Sequence, residues 1–539
     1  MTATAEAPGE EPPPPAPPGG GRVARNTAIF SFFTGISRIV GLGREIVFAS
    51  YFGTSRFASA YTLASLVPNL VANLFAQSAL SAAFVPVFTD LLQKGHRRDA
   101  LRLASTLFWI LLIGLGAITA FFILAAGLIM PQFIGPQLVG QTGLTVGLSQ
   151  LLFPVVLLLG LNGLLVGILQ SYDHFTIPAI SPAVWNAVII VLLVVLAPHF
   201  HGRDEIYAFA IGVLAATGVQ AMLAFGALGR IDFRLSFSID WHDPRIKQVF
   251  MLMLPVTIGL GIVNLDQLIN SAFGSLVSDE APRAIDNAFR VYMLPQGMFS
   301  VAVATVLFPT LSRMASSRDA GAMRRTVGNG MRQINLMLIP AAAFMIVLPT
   351  PIVRLLFERG EFDQASTHLV SIALFWFAFS LPFGGLNLLL TRTFFAVQQP
   401  WIPTRLAAMN IVVDILVSIA LYKPLGISGL IMGTIAANAV MTALQLHRLR
   451  IGLGGRLEGG QTVMITARIV VASALLAVVS WVVWKLFESV LGVSLPAQIL
   501  SMAAAAVAGL FVYVRAVLLM RIPEAHQVSS LIRARLGRA

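Results

Sequence analysis

PAISPAVWNAVIIVLLVVLAP, residues 178–198, is a run of 21 residues without a charged side chain. A helix rises about 1.5 Å per residue, so this run is about 30 Å long, the thickness of the hydrocarbon core of a bilayer. The composition agrees, since 57% of the 539 residues are hydrophobic, 11% are charged and the mean hydropathy is +0.83. Soluble proteins carry about 25% charged residues. The sequence therefore predicts an all-α integral membrane protein.

Apolar runs long enough to cross the bilayer recur along the chain. They fall at about 28–52, 60–91, 100–130, 144–170, 178–198, 206–229, 247–277, 284–314, 322–350, 366–397, 403–421, 427–447, 463–488 and 495–519. Several contain a proline, among them Pro154, Pro295 and Pro382. Broken helices are tolerated in a bilayer where they line a cavity. The pattern predicts about 14 transmembrane helices.

A weak internal repeat divides the chain. YFG at 51–53 and LVPN at 66–69 are echoed by AFG at 272–274 and MLPQ at 293–296. Repeats of this kind in transporters form two lobes with a substrate site between them. The predicted organisation is a disordered cytoplasmic tail at 1–25, six-helix lobes at 26–230 and 231–455, two additional transmembrane helices at 456–520 and a basic cytoplasmic tail at 521–539.

The basic residues predict the orientation of the chain. One set of alternate connections is rich in them, with Lys94, Arg97, Arg98, Arg230, Arg234, Arg245, Lys247, Arg313, Arg318, Arg324, Arg325, Arg448, Arg450 and Arg456. The other set is poor, with Arg56, Arg203, Arg283, Arg359 and Lys423. Because basic loops stay in the cytoplasm, both termini are predicted to be cytoplasmic. The net charge of +12 is thus a topology signal, and nucleic acid is not a predicted partner.

The sequence also excludes several classes of chemistry. It contains no cysteine, and its eight histidines form no HExxH motif. It has no GxxxxGK[ST] phosphate loop, so ATP is not the predicted energy source. No pair of acidic residues is placed in a loop for glycosyl transfer or hydrolysis. The chain is therefore predicted not to be an enzyme.

Three arginines lie inside predicted spans. Arg38 is about 15 Å along the first span, where an arginine costs about 3 to 10 kcal/mol unless it faces protein or water. Because a guanidinium fork matches phosphate oxygens, Arg38, Arg44 and Arg290 are candidates to line a cavity for an anionic substrate. Alternatively, each arginine caps a helix end or pairs with a neighbour such as Glu45 or Asp286.

Other polar side chains suggest a cation site. Asp266 lies deep in the span at 247–277, and Asn410 and Asp414 share one helix face at i and i+4. Carboxylates in apolar spans are protonated, paired or bound to a hard cation through oxygen. Hydrogen bonding between neighbouring helices is the alternative.

These residues resemble the MurJ/MviN family of lipid II flippases, within the multidrug/oligosaccharidyl-lipid/polysaccharide exporter superfamily. The resemblance is carried by SRIVGLGRE (37–45), LVPNLVANLFAQSALSAAFVPVF (66–88), SYDHFTIPAISPAVWN (171–186), LPQGMFSVAVATVLFPTLSRMAS (294–316), RLLFERGEFD (354–363) and RTFFAVQQPWIPTR (392–405). It implies two lobes around a solvated cavity in the bacterial plasma membrane. It also implies alternating-access export of undecaprenyl-pyrophosphate-linked peptidoglycan precursor from the inner to the outer leaflet.

The resemblance also implies roles for individual residues. Arg38, Arg44 and Arg290 match the family's cavity arginines, and Asp266, Asn410, Asp414 and Thr434 match residues that bind sodium in some members. Na⁺ is thus the implied coupling ion, and a proton held between the two carboxylates, or coupling to the membrane potential, is the alternative. Two positions depart from the family, because Ser59 and Ala72 stand where many relatives carry an acidic residue and an arginine.

The resemblance implies several partners: a lipid-linked oligosaccharide, membrane lipid and, by extension, the cell-wall synthesis or division machinery. Two alternative functions stay open. One is an exporter of another polyprenyl-linked glycan in the same superfamily, and the other is a non-transporting membrane scaffold.

Overall fold

The structure is a computed structural model. It describes residues 20–74, 77–172, 174, 176–229, 235–237, 240, 243–317, 319–454 and 458–524. The predicted tails at 1–25 and 521–539 lie mostly outside these residues. Within the described ranges, every regular element is a helix, which confirms the all-α prediction.

The first half of the chain is built from eight α-helices within the described ranges. They are α1 (Gly20–Phe52), α2 (Arg56–Leu74), α3 (Gln77–Gln93), α4 (Arg97–Ile129), α5 (Thr142–Leu152), α6 (Pro154–Ser171), α7 (Thr176–Leu196) and α8 (Ile206–Leu228). The predicted span at 144–170 is divided between α5 and α6 at Pro154, which has no N–H to donate. The 3₁₀ turns Met130–Phe133 and Pro136–Gln141 connect α4 to α5.

Ten further α-helices follow in the described part of the chain. They are α9 (Pro244–Val277), α10 (Ala281–Pro295), α11 (Val301–Ser316), α12 (Ala320–Val347), α13 (Pro349–Phe357), α14 (Gln364–Ala396), α15 (Trp401–Leu425), α16 (Ile427–Gly452), α17 (Gly459–Leu491) and α18 (Leu495–Leu519). A π-helical turn, Gln296–Ser300, joins α10 to α11 directly after Pro295. Such turns interrupt the regular hydrogen-bond ladder and recur at functional sites.

Eleven helical segments among the described residues are long and apolar enough to cross a membrane. The three other predicted spans, at 28–52, 60–91 and 247–277, coincide with α1, with α2 and α3, and with α9. Several side chains in these helices lie outside the described residues. The protein is a multi-pass membrane protein, and the count of 14 crossings stays a prediction.

Buried apolar side chains form separate cores in the two halves of the chain. In the first half, the rings of Phe48 and Phe209 pack edge to face with centroids 4.5 Å apart. The core of the second half lies almost entirely within residues 281–453. Helix α9 contributes to both halves, since Ile246 and Val249 near its start are buried in a first-half core, while the helix also contacts α15 and α16.

The two halves meet where α1 ends, at a contact we call the α1 latch. The N–H of Glu361 donates to the carbonyl of Ser50 at 2.9 Å, and the Thr54 hydroxyl donates to Ser366 Oγ at 2.8 Å. Gly360 has φ of +59°, and a Cβ there would overlap the carbonyl of Ser50. The latch therefore depends on close backbone approach.

A second contact, the α9 latch, lies at the end of α9. The N–H of Gly135 donates to Ser275 Oγ at 2.8 Å, and this hydroxyl lies 3.3 Å from the carbonyl of Phe133. A Cβ at Gly135 would overlap the carbonyl of Ser275. The AFG motif that precedes Ser275 is the repeat of the YFG motif that ends α1. Each latch therefore joins a repeat-related helix end to a loop of the opposite half.

A buried ion cluster ties the last two helices to the second half. Arg332 on α12 is 6% exposed and donates to Glu458 Oε2 at 3.0 Å and to Glu524. Glu458 directly precedes α17, and Glu524 follows α18. Breaking a buried pair of this kind is strongly destabilising, because it leaves an uncompensated charge.

Candidate functional site

The site begins on one face of α10. Arg283, Asp286 and Arg290 stand at i, i+3 and i+7, and residues at these spacings share one helix face. On α1, which packs in the first half, Arg44 and Glu45 are adjacent in sequence. Because α10 belongs to the second half, contacts between these two helices cross from one half to the other.

Glu45 is the centre of this cluster. Its Oε1 accepts from Arg44 and lies 3.0 Å from Nη1 of Arg290. Its Oε2 accepts from Nη2 of Arg283 at 3.0 Å. Asp286 Oδ2 accepts from Arg283 Nη1 and from Arg290 Nε, both at 2.9 Å. The arginine cluster, defined as these five side chains, thus has three cations and two anions, with one positive charge in excess.

Two of the three predicted arginines therefore meet through Glu45. Arg44 also lies over the ring of Trp185, with its Cζ 4.9 Å from the ring centroid, a favourable cation–π arrangement. The contacts of Arg44 and Arg290 with carboxylates correspond to the pairing alternative drawn from the sequence. Pairing does not neutralise the arginine cluster, because its three guanidinium groups outnumber its two carboxylates.

Arg283 is the member of the arginine cluster that the sequence analysis did not select as a candidate. It was predicted to lie in a connection, but α10 begins at Ala281, and Arg283 is 1% exposed. Its Cζ lies 3.9 Å from the centroid of the Phe48 ring. The spacing of Arg283, Asp286 and Arg290 on one helical face was the signal that would have identified it.

A cavity of about 410 Å³ lies against the arginine cluster. Arg290 and Asp286 line it from α10, and the Arg290 side chain is 39% exposed. The opposite wall is largely α2, and hydroxyl and amide groups predominate among its polar residues. The polar lining outside α10 consists of Tyr61, Thr62, Ser65, Asn69, Asn73 and Gln267. The cavity thus combines the Arg290 guanidinium and the Asp286 carboxylate with many neutral hydrogen-bonding groups.

Arg38 lies apart from the arginine cluster. It is exposed, and its Nη1 lies 3.1 Å from where a Cβ would stand at Gly297, in the π-helical turn. Ser59 and Ala72, the two departures from the family pattern, are both buried in α2. The cavity wall formed by α2 therefore contributes no formal charge.

The predicted cation ligands are brought together only in part. Asp414 on α15 is 1% exposed, and its Oδ2 accepts from Nδ2 of Asn270 at 3.0 Å. The same amide lies 3.3 Å from Thr434 Oγ1 on α16. Asn410 is half-buried one turn away on α15. The side chain of Asp266 lies outside the described residues.

Asn270 is a further residue that the sequence analysis did not select. It lies on α9 one turn after Asp266, so the i, i+4 spacing was the available signal. Ser418 Oγ lies 3.4 Å from the other oxygen of Asp414. A Cβ at Gly433 would lie 2.5 Å from Asp414 Oδ1, so the absence of a side chain there admits the carboxylate. The carboxylate of Asp414 and the hydroxyls of Thr434 and Ser418 are hard oxygen donors that fit a small cation, whereas the Asn270 amide faces Asp414 and Thr434 with its N–H groups.

Comparison with known proteins shows the family to which the chain is similar. The family profile described as lipid II flippase MurJ matches residues 48–501. A probable lipid II flippase MurJ from Rhizobium meliloti is 30% identical over 464 residues, covering 84% of this chain and 85% of the relative. The lipid II flippase MurJ of Burkholderia cenocepacia is 28% identical and covers 77% and 81%, respectively.

Solved structures share the fold. A lipid II flippase MurJ in an inward closed conformation superposes with a TM-score of 0.73 at 21% identity, covering 94% of this chain and 99% of that one. An inward-facing MATE family multidrug transporter of the MOP superfamily gives a TM-score of 0.63 at 14% identity, with coverage of 77% and 94%.

Proposed function

The chain belongs to the lipid II flippase family, and we propose that it moves lipid II, the undecaprenyl-pyrophosphate-linked peptidoglycan precursor, from the inner to the outer leaflet. The observation that carries this proposal is the excess positive charge of the arginine cluster beside a polar cavity. A pyrophosphate is an anion whose oxygens match guanidinium forks. The hydroxyl and amide groups of the cavity suit the sugar and peptide of the head group.

The proposed mechanism is alternating access. The head group enters the cavity and binds Arg44 and Arg290, with Arg38 at the approach, while the polyprenyl tail remains in lipid. In the predicted orientation the two latches lie at the outer end, and we propose that they close the cavity to the outside. Release of both latches and rocking of the halves would then open the site outward.

We further propose that Na⁺ is the coupling ion, held by Asp414, Thr434 and Asn410, with Asp266 as the fourth ligand. The contacts of Asn270 with Asp414 and Thr434 support this proposal, because they join α9 to α15 and α16. A bound cation would supply positive charge between these helices. The membrane potential adds about 2.3 kcal/mol per elementary charge per 100 mV, enough to bias such a cycle.

The proposed location is the bacterial plasma membrane, with both termini in the cytoplasm. Lipid-linked oligosaccharide and membrane lipid are the proposed partners. Cell-wall synthesis or division proteins are proposed as further partners on the basis of the substrate alone.

The test is complementation of bacteria depleted of their own lipid II flippase. We expect this chain to restore growth, and we expect the purified protein in vesicles to transfer lipid II to the opposite leaflet. Restored export of a different polyprenyl-linked glycan, without lipid II transfer, would favour the related exporter. Growth that survives the simultaneous loss of Arg44 and Arg290 would favour a non-transporting scaffold.

A further inference from the structure

Arg283 differs from Arg44 and Arg290 in its surroundings. Its side chain is 2% exposed, against 12% for Arg44 and 39% for Arg290. The guanidinium packs against Phe48 and bonds to one oxygen each of Glu45 and Asp286. A buried arginine held in this way does not reach the cavity, so its role is exerted through its two carboxylate partners.

The bonding pattern assigns different roles to the two oxygens of Glu45. Oε2 is bonded to Arg283, on the buried side of the arginine cluster. Oε1 is shared by Arg44 and Arg290, which are both more exposed than Arg283, and Arg290 lines the cavity. A phosphate oxygen that enters the cavity competes with Oε1 for these guanidinium groups, while Oε2 remains anchored.

The charge balance depends on Arg283 as well. Without it, Arg44 and Arg290 face Glu45 and Asp286, and the remaining four groups carry no excess charge. Both carboxylates would then require Arg44 and Arg290 as their counter-ions. An entering pyrophosphate would have to displace a carboxylate and leave it buried without a cation, which is costly.

We propose that Arg283 is a positioning residue for substrate binding. It holds Glu45 and Asp286 from the side away from the cavity, so that Arg44 and Arg290 exchange a carboxylate oxygen for a phosphate oxygen. Because Arg283 also bonds across the two halves, Glu45 keeps one link to α10 when Arg290 turns to the substrate. This inference rests on the proposed function, since it takes a pyrophosphate as the ligand.

The test compares Arg283→Gln with Arg332→Gln, a matched control. Arg332 is likewise a buried arginine with two carboxylate partners, but it lies in the ion cluster that ties α12 to the last two helices. The measurement is equilibrium binding of undecaprenyl pyrophosphate to the purified protein. We expect Arg283→Gln to weaken binding about tenfold or more, the effect of one lost charge at short range. Arg332→Gln should lower Tm and leave Kd unchanged.

A second variant separates charge from folding. Adding Asp286→Asn to Arg283→Gln restores one excess positive charge, and Arg290 retains an acceptor at position 286. We expect this double variant to recover most of the affinity, whereas Arg283→Lys, which keeps the charge but loses the fork, should recover part of it. A purely structural role would alter Tm and expression and leave the Kd of the folded fraction at the wild-type value.

The outcomes also distinguish this inference from the proposed function. If wild type does not bind undecaprenyl pyrophosphate, or if Arg290→Ala binds it normally, both proposals are wrong. If Arg290→Ala loses binding while Arg283→Gln retains it, the role of Arg283 alone is wrong. Failure of the double variant to recover affinity would equally overturn the charge argument.

Discussion

In the proposed mechanism, Arg44 and Arg290 contact the substrate and Arg283 holds their carboxylate partners. Arg290 is 39% exposed beside Asp286, whereas Arg44 is 12% exposed over Trp185. Neither side chain is free of carboxylate contacts, yet the excess charge leaves both able to attract an anion. We therefore expect the guanidinium geometry of Arg44 and Arg290, as well as their exposure, to determine the affinity for phosphate.

Substitution of the proposed substrate-binding arginines tests this reasoning. Arg38→Ala, Arg44→Ala and Arg290→Ala should each reduce lipid II transfer about tenfold or more, while Arg→Lys restores only part because the planar fork is lost. Arg354→Ala is the control, since Arg354 bonds to Glu488 at 3.1 Å outside the site. Normal transfer by two of the three alanine variants would contradict the pyrophosphate assignment.

The hydroxyl of Thr434 provides a second test, because α16 carries a matched residue. Thr434 and Thr442 are both buried, at 6% and 5% exposure, but Thr442 bonds to Asn387. Wild type should gain about 2.7 kcal/mol of stability at a sodium concentration of 100 times Kd, measured as a rise in Tm against potassium at equal ionic strength.

Thr434→Val and Asp414→Asn should both lose the sodium-dependent rise in Tm. Thr442→Val should retain this rise, although its Tm is lower. If wild-type melting ignores sodium and shifts with pH instead, the site binds a proton. Like charges that lie close together raise one carboxyl pKa, which is the physical basis of that alternative.

In the proposed mechanism, the two latches connect helix ends to the transport cycle. Each is formed where a helix of one half meets a loop of the other, and each relies on a glycine with no room for a Cβ. Because no long side chains are involved, the contacts can form and separate without rearranging a core.

Gly360→Ala should open the α1 latch. The Oγ atoms of Thr54 and Ser366 are 2.8 Å apart, so cysteines at both positions should form a disulfide in a chain that contains no other cysteine. Gly360→Ala should reduce this cross-linking severalfold. Gly202→Ala is the control, since Gly202 also has positive φ, +62°, but has open space around it.

The yield of the disulfide between positions 54 and 366 could also be equal in Gly360→Ala and Gly202→Ala. In that case, backbone strain at a positive-φ residue would account for any loss relative to the parent. The contact with Ser50 would then have no part in closing the α1 latch.

Across the whole molecule, the predicted orientation sets the direction of transport. Because the native chain has no cysteine, single cysteines report topology cleanly. Asp240→Cys and Gly455→Cys should resist a membrane-impermeant thiol reagent in intact cells, whereas Arg203→Cys and Lys423→Cys should react with it. Labelling at 240 or 455 would show that the predicted orientation of the chain in the membrane is inverted.

The sequence was sufficient to predict the features that depend on lipid as the solvent and on the regular rise of a helix. Lipid cannot form hydrogen bonds with backbone N–H and C=O groups. Long uncharged runs such as 178–198 therefore have to be helices, whatever their packing partners are. The predicted intramembrane positions of Arg38, Arg44 and Arg290 rest on the same counting of residues along each span. Membership of the flippase family was likewise readable from sequence motifs.

Only the tertiary structure decided which charges meet. Arg283 and Glu45 are 238 residues apart, and Asn270 and Asp414 are 144 apart, so no local pattern specifies either contact. The latches likewise join segments that are remote in sequence. The physical reason is that hydropathy determines the depth of a residue in the bilayer, whereas its partner depends on how the helices pack and on which face each one turns inward.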